Sequence, residues 1–134
     1  MSNTEEVKGA SLIEEYKQLV ITNWNKSRES IIEVGKILIT AKDKCNNGEL
    51  DTKSWNKTVS KDLPFSKRTA DRLIKIAECE WITSGDYDNS LPVSWGTLYE
   101  ISTLTKTAFE KGVESDSITS NCSRDEILKY KDSL

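Results

Sequence analysis

Ser54-Trp55-Asn56-Lys57-Thr58-Val59-Ser60-Lys61-Asp62-Leu63-Pro64-Phe65-Ser66-Lys67-Arg68-Thr69-Ala70-Asp71-Arg72-Leu73-Ile74-Lys75-Ile76-Ala77 is the stretch on which the fold turns. Trp55 and Val59, four residues apart, share one face of a short helix expected from about Thr52 to Lys61. Leu63-Pro64-Phe65 breaks that helix, because proline lacks the amide proton that a helix interior requires. Ser66 is a hydroxyl residue suited to capping a second helix, expected to run to about Trp81 with Ala70, Leu73, Ile74 and Ala77 as its apolar stripe. At about 100° per residue, Arg68, Arg72 and Lys75 fall within about 60° of one another on the other side. Helix, short turn and capped helix is the helix-turn-helix plan, whose second helix enters the major groove of DNA.

The residue types suit that use. Arginine bonds guanine through two parallel hydrogen bonds, which makes Arg68, Arg72 and Lys75 the candidates for groove contact. Lys57, Lys61 and Lys67 are placed to neutralise phosphates, and Ser66, Thr69 and the unbonded amides of the helix start add backbone contacts. The competing interpretation is a solvated outer face on an amphipathic helix, with Asp71 beside the stripe.

The flanking sequence is also helical in pattern. A helix is expected from about Ser11 to Trp24 through Leu12, Tyr16, Leu19, Val20 and Asn23. A second begins near Ser27, with Ile31, Val34, Gly35, Leu38, Ala41 and Cys45 at three- and four-residue intervals, and stops at Asn46-Asn47-Gly48. Beyond the quoted stretch, residues 82–93 read as a loop. A helix from Ser94 or Trp95 to Lys111 follows, closed by Gly112, with Trp95, Leu98, Ile101, Ala108 and Phe109 inside. A polar connector then leads to a last helix capped by Ser123.

Six Gly and two Pro leave little material for hairpins, so the fold class expected is all-α: a compact helical domain containing a helix-turn-helix-like unit. A chain of 134 residues with 36% hydrophobic and 31% charged side chains fits a single domain. Within it, residues 1–10 are read as a flexible lead-in, 28–104 as the helix-turn-helix-like core, and 114–134 as the polar connector and C-terminal helix.

The net charge of -3 would oppose binding to nucleic acid if it were spread evenly. It is not. Residues 1–50 carry net -1, residues 51–75 carry seven basic and three acidic groups for net +4, and residues 76–134 carry net -6. The acidic last third allows a different function, a negative surface presented to a basic protein.

The absence of histidine removes the usual zinc ligand, the usual general base and the Ser-His-Asp and Cys-His arrangements, so a binder is expected rather than an enzyme, with no catalytic residue, metal or cofactor. There is no glycine-rich phosphate loop, and the pairs Glu14-Glu15, Glu78-Glu80 and Asp86-Asp88 read as solvated charge. Cys45, Cys79 and Cys122 read as reduced thiols, with Cys79 extending the Arg68, Arg72, Lys75 stripe to an exposed position. Trp55 and Trp95 are expected in the core, whereas Trp24 and Trp81 lie near helix ends where exposure would favour a partner. With no basic, apolar leader and no membrane-length apolar run, the expected location is the cytoplasm of a bacterial host cell, with no membrane partner.

Residues 30–42, then Asn47-Gly48-Glu49-Leu50, Trp55, Leu63-Pro64-Phe65-Ser66-Lys67-Arg68-Thr69-Ala70 and Ile76-Ala77 resemble a loosely characterised family of phage- and plasmid-borne helical proteins. Leu91-Pro92-Val93-Ser94-Trp95-Gly96-Thr97-Leu98-Tyr99-Glu100-Ile101 is similar to a segment that follows this helix in related mobile-element proteins. Leu50 stands where that family more often has an aromatic. The resemblance implies a DNA-binding-like module. The function expected is binding of double-stranded DNA, as a possible homodimer through the Trp95–Phe109 segment or the C-terminus, to regulate transcription or another DNA transaction. The alternative is a phage-encoded inhibitor or adaptor that binds a host protein or defence complex.

Overall fold

A computed structural model describes residues 4–23 and 28–134, with side chains placed for residues 10–22 and 29–134. Trp24, Ser27 and the first three residues of the expected lead-in lie outside them. Every regular element among the described residues is helical: α1 (Thr4–Asn23), α2 (Arg28–Asn46), α3 (Thr52–Lys61), α4 (Lys67–Glu78), α5 (Glu80–Thr83), α6 (Trp95–Ser102), α7 (Lys106–Glu114) and α8 (Arg124–Asp132), with a 3-10 turn at Asp88–Ser90. No helix among them is long and apolar enough to cross a membrane. The chain divides into two units at the Ile74–Lys75 bond inside α4. The first carries thirteen basic and eleven acidic residues, net +2, and the second six and eleven, net -5.

In the first unit α1, α2 and α3 pack on one another. Of the stripe that its spacing predicts, α2 buries Ile31, Val34, Gly35, Leu38 and Ala41 but leaves Cys45 only half-buried, and it buries Ile37 as well. It ends where Gly48 takes φ +79, a left-handed conformation that glycine adopts without steric cost. Lys44 Nζ bonds Glu49 Oε2 at 2.8 Å across that turn, and this contact holds the ammonium pKa above its ordinary value. Leu50 is buried. α1 starts seven residues before the expected Ser11, and Leu19 and Ile21 are exposed on it.

α3 matches its expected span. The Asp51 carboxylate caps it by accepting from the Ser54 amide at 3.1 Å, and Trp55, Thr58 and Val59 are buried. The Trp55 ring meets Tyr16 of α1 edge-on at 6.3 Å. α4 begins as predicted, with Ser66 Oγ accepting from the Thr69 amide at 3.1 Å.

α4 does not reach Trp81. Cys79 adopts an extended conformation (φ -81, ψ 112) and separates it from α5. The thiol is buried, contrary to its expected exposure. Desolvation pushes its pKa up, as it does those of Cys122 and Cys45.

The single helix expected from Trp95 to Lys111 is two. Ser102 Oγ and Thr103 Oγ1 bond the carbonyls of Tyr99 and Glu100, closing α6. Thr105 Oγ1 then accepts from the Ala108 amide at 3.1 Å and opens α7. Gly112 lies inside α7 instead of ending it. A Cβ there would stand 2.6 Å from Ile118 Cδ1 and 3.0 Å from Tyr130 Cε2, so glycine is present for close approach. Tyr130 of α8 donates to the Ala108 carbonyl at 2.6 Å. Phe109 is fully buried, stacked with Trp81 at 6.0 Å and met edge-on by Tyr87 at 4.9 Å. Ser123 and Glu126 form the reciprocal capping pair of α8.

Candidate nucleic-acid interface

The candidate cations occupy two consecutive helices. α3 turns Trp55, Thr58 and Val59 inward, and the 3.6-residue period then leaves Lys57 and Lys61 exposed on its other side. The Asp62–Ser66 connection leads to α4, whose first turn exposes Lys67 and Arg68. Among the described residues none of these four cations takes part in a side-chain hydrogen bond or an ion pair. Asp62 and Asp71, both exposed, are the acidic residues that follow Lys61 and precede Arg72 in the chain.

The other candidates differ in environment. Ser66 and Thr69 bond each other, Oγ to Oγ1 at 3.2 Å, while Ser66 Oγ also accepts the Thr69 amide. Their hydroxyls are set by the cap. Arg72 is half-buried, unlike Arg68 one turn earlier. Lys75 is exposed and is the first residue of the second unit; its charge acts on the Cys79 thiol, lowering a pKa that desolvation raises more strongly. Arg68 and Lys75 are thus exposed and Arg72 is half-buried.

One cation escaped the sequence reading. Lys53 is exposed and lies four residues before Lys57, as Lys57 lies four before Lys61. The regular spacing was the available signal, obscured by its position next to the cap region ahead of Trp55. The Lys53 charge helps the Ser54 hydrogen bonds hold the Asp51 carboxyl below the usual carboxylate range.

In the second unit the most enclosed charge is Glu100, which is 5% exposed. Its carboxylate accepts from Arg124 Nη2 and Lys131 Nζ, each at 3.1 Å, and Lys131 also donates to Thr103 Oγ1 at 2.7 Å. This network ties α6 to α8, and satisfied on both oxygens it is a packing device. A groove open to solvent is lined by Lys75, Glu78, Cys79, Glu80, Trp81 and Ser102. The Trp81 indole N–H is buried without a hydrogen-bond partner among the described residues. Among the described residues no group of three Cys, Asp or Glu is arranged to hold a metal ion. Comparison with family models, with curated proteins and with solved structures finds nothing that matches this chain.

Proposed function

We propose that the protein binds double-stranded DNA through α3 and the first turns of α4, used in helix-turn-helix fashion. The observation that carries this reading is the set of four exposed, unneutralised cations, Lys57, Lys61, Lys67 and Arg68, on two consecutive capped helices. Such charges gain by replacing the counterions condensed on DNA. Arg68 has the exposure and the donor geometry for a guanine edge, and Arg72 and Lys75 extend the same helix face. The role proposed is in transcription or another DNA transaction of a mobile element, which is what the resemblance read from residues 28–104 implies. Paired copies on a two-fold site would add the contacts that one short module lacks.

The test is titration of a random-sequence duplex at two salt concentrations. Steep loss of affinity as salt rises is the expected result. No binding at low salt overturns the proposal.

A second reading has its own observation: ten of the eleven acidic side chains in residues 75–134 are exposed. They suit an adaptor or inhibitor that meets a basic surface of a host protein. Purification from host lysate that returns a stoichiometric basic protein and no nucleic acid would favour it over DNA binding.

A further inference from the structure

Lys53, Lys57 and Lys61 recur every fourth residue along α3, and all three are exposed. Each step advances about 6 Å along the helix axis and turns by about 40°, so the three ammonium groups form a gently winding ridge about 12 Å long. The face on the other side is held in place: Trp55, Thr58 and Val59 are buried, Trp55 rests edge-on against Tyr16, and Asp51 caps the helix start. Asn56 and Ser60, also exposed, add neutral hydrogen-bonding groups to the solvent side. None of the three lysines is tied by a hydrogen bond or an ion pair among the described residues. Asp51, whose carboxyl is committed to the Ser54 amide and hydroxyl, is the acidic group that Lys53 influences.

We infer that α3 is a phosphate-tracking helix, in which Lys53, Lys57 and Lys61 together lie along one strand of the DNA backbone and supply the sequence-independent part of the affinity. This rests on the DNA-binding reading above and adds Lys53 to it. A ridge of about 12 Å spans on the order of three phosphates of one strand, which rise 3.4 Å apiece along the duplex axis. Charge at that spacing on a fixed helix matches a repeating anion and carries no information about base identity. Sequence preference then falls to the start of α4, where Arg68 is exposed.

The experiment measures affinity for two duplexes of unrelated sequence across a salt series, for the full chain and for Lys53→Ala, Lys57→Ala, Lys61→Ala and their triple combination. Each single change is expected to reduce the slope of log K against log salt by about 0.9, and by the same amount on both duplexes. Lys53→Arg keeps the charge and should keep the slope, while Lys129→Ala, an exposed lysine of α8, should leave it unchanged. If the full chain binds with a steep slope that Lys53→Ala does not alter, the ridge is wrong and the DNA-binding reading stands. If the full chain binds neither duplex, both fall. Polyglutamate competing as well as DNA at equal charge would overturn phosphate tracking in favour of an acidic protein partner.

Discussion

Lys131 of α8 reaches Glu100 of α6, Nζ to Oε1 at 3.1 Å, across 31 positions of sequence. The carboxylate is buried, whereas Lys131 and Arg124 keep 30% and 50% of their side-chain surface in water. The burden of burial therefore falls on Glu100. Removing both cations strands a buried charge and should destabilise the second unit by about 3 kcal/mol; Arg124→Ala alone should cost far less. Urea unfolding followed by tryptophan fluorescence gives the comparison.

Gly112→Ala sets two effects against each other. Alanine favours the helix by about 1 kcal/mol, but its Cβ meets Ile118, which is only 1% exposed and has little room to retreat. The collision should win, for a net loss of about 1 kcal/mol. Because Ile118→Val removes the Cδ1 contact, the double variant should lose less than the sum of the two single changes, as unfolding midpoints will show.

These two sites mark what the sequence could and could not reveal. The α2 stripe, the Thr52–Lys61 span and the caps at Ser66 and Ser123 depend on residues within a few positions of one another, and they were legible. The breaks at Cys79 and Thr103–Thr105 were not. The apolar period of Ala70, Leu73, Ile74 and Ala77 favours a continuing helix, which the extended backbone of Cys79 interrupts, and a threonine reads equally well inside a helix or at its cap until its hydroxyl is seen bonding Ala108. Trp95 is half-buried where its spacing predicted core, and Gly112 resembles a stop signal until Ile118 is placed against it. At the candidate interface the residue types were legible. The half-burial of Arg72 required the three-dimensional packing, whereas the four-residue spacing of Lys53 from Lys57 was open to the sequence.

Thiol reactivity should follow burial. All three thiol pKa values are raised by desolvation, so the thiolate fraction at neutral pH falls below that of free cysteine and labelling should accelerate as pH rises. Maleimide should modify half-exposed Cys45 first, with Cys79 and Cys122 following slowly in buffer and rapidly in urea. Mass spectrometry of timed samples reads the order.

Acid should loosen α3. The folded-state pKa of Asp51 is depressed, so its contribution is present above the ordinary carboxylate value and is lost as pH falls through the lower, folded value. Asp51→Asn retains a capping side chain and should remove this acid dependence; Asp51→Ala should weaken the cap at every pH. Amide exchange at Ser54 and Trp55 between pH 5 and 2 distinguishes them.

Arg68→Ala should weaken binding to a preferred duplex by about 1–3 kcal/mol and flatten discrimination at one base pair. Arg72→Ala, at a half-buried position, should cost stability as well, visible as a lower unfolding midpoint. Competition with duplexes substituted one position at a time measures the first effect, and thermal melting the second.

Opposite net charge in the two units gives ionic strength two contrary actions on one chain. Salt screens the cations of α3 and early α4 from a polyanion, and it also quiets the mutual repulsion of ten exposed carboxylates in the second unit. On the proposed DNA-binding reading, conditions that best preserve that unit are those in which the first would hold DNA most weakly, so the melting temperature of the free protein and any affinity for DNA should run in opposite directions along a salt gradient.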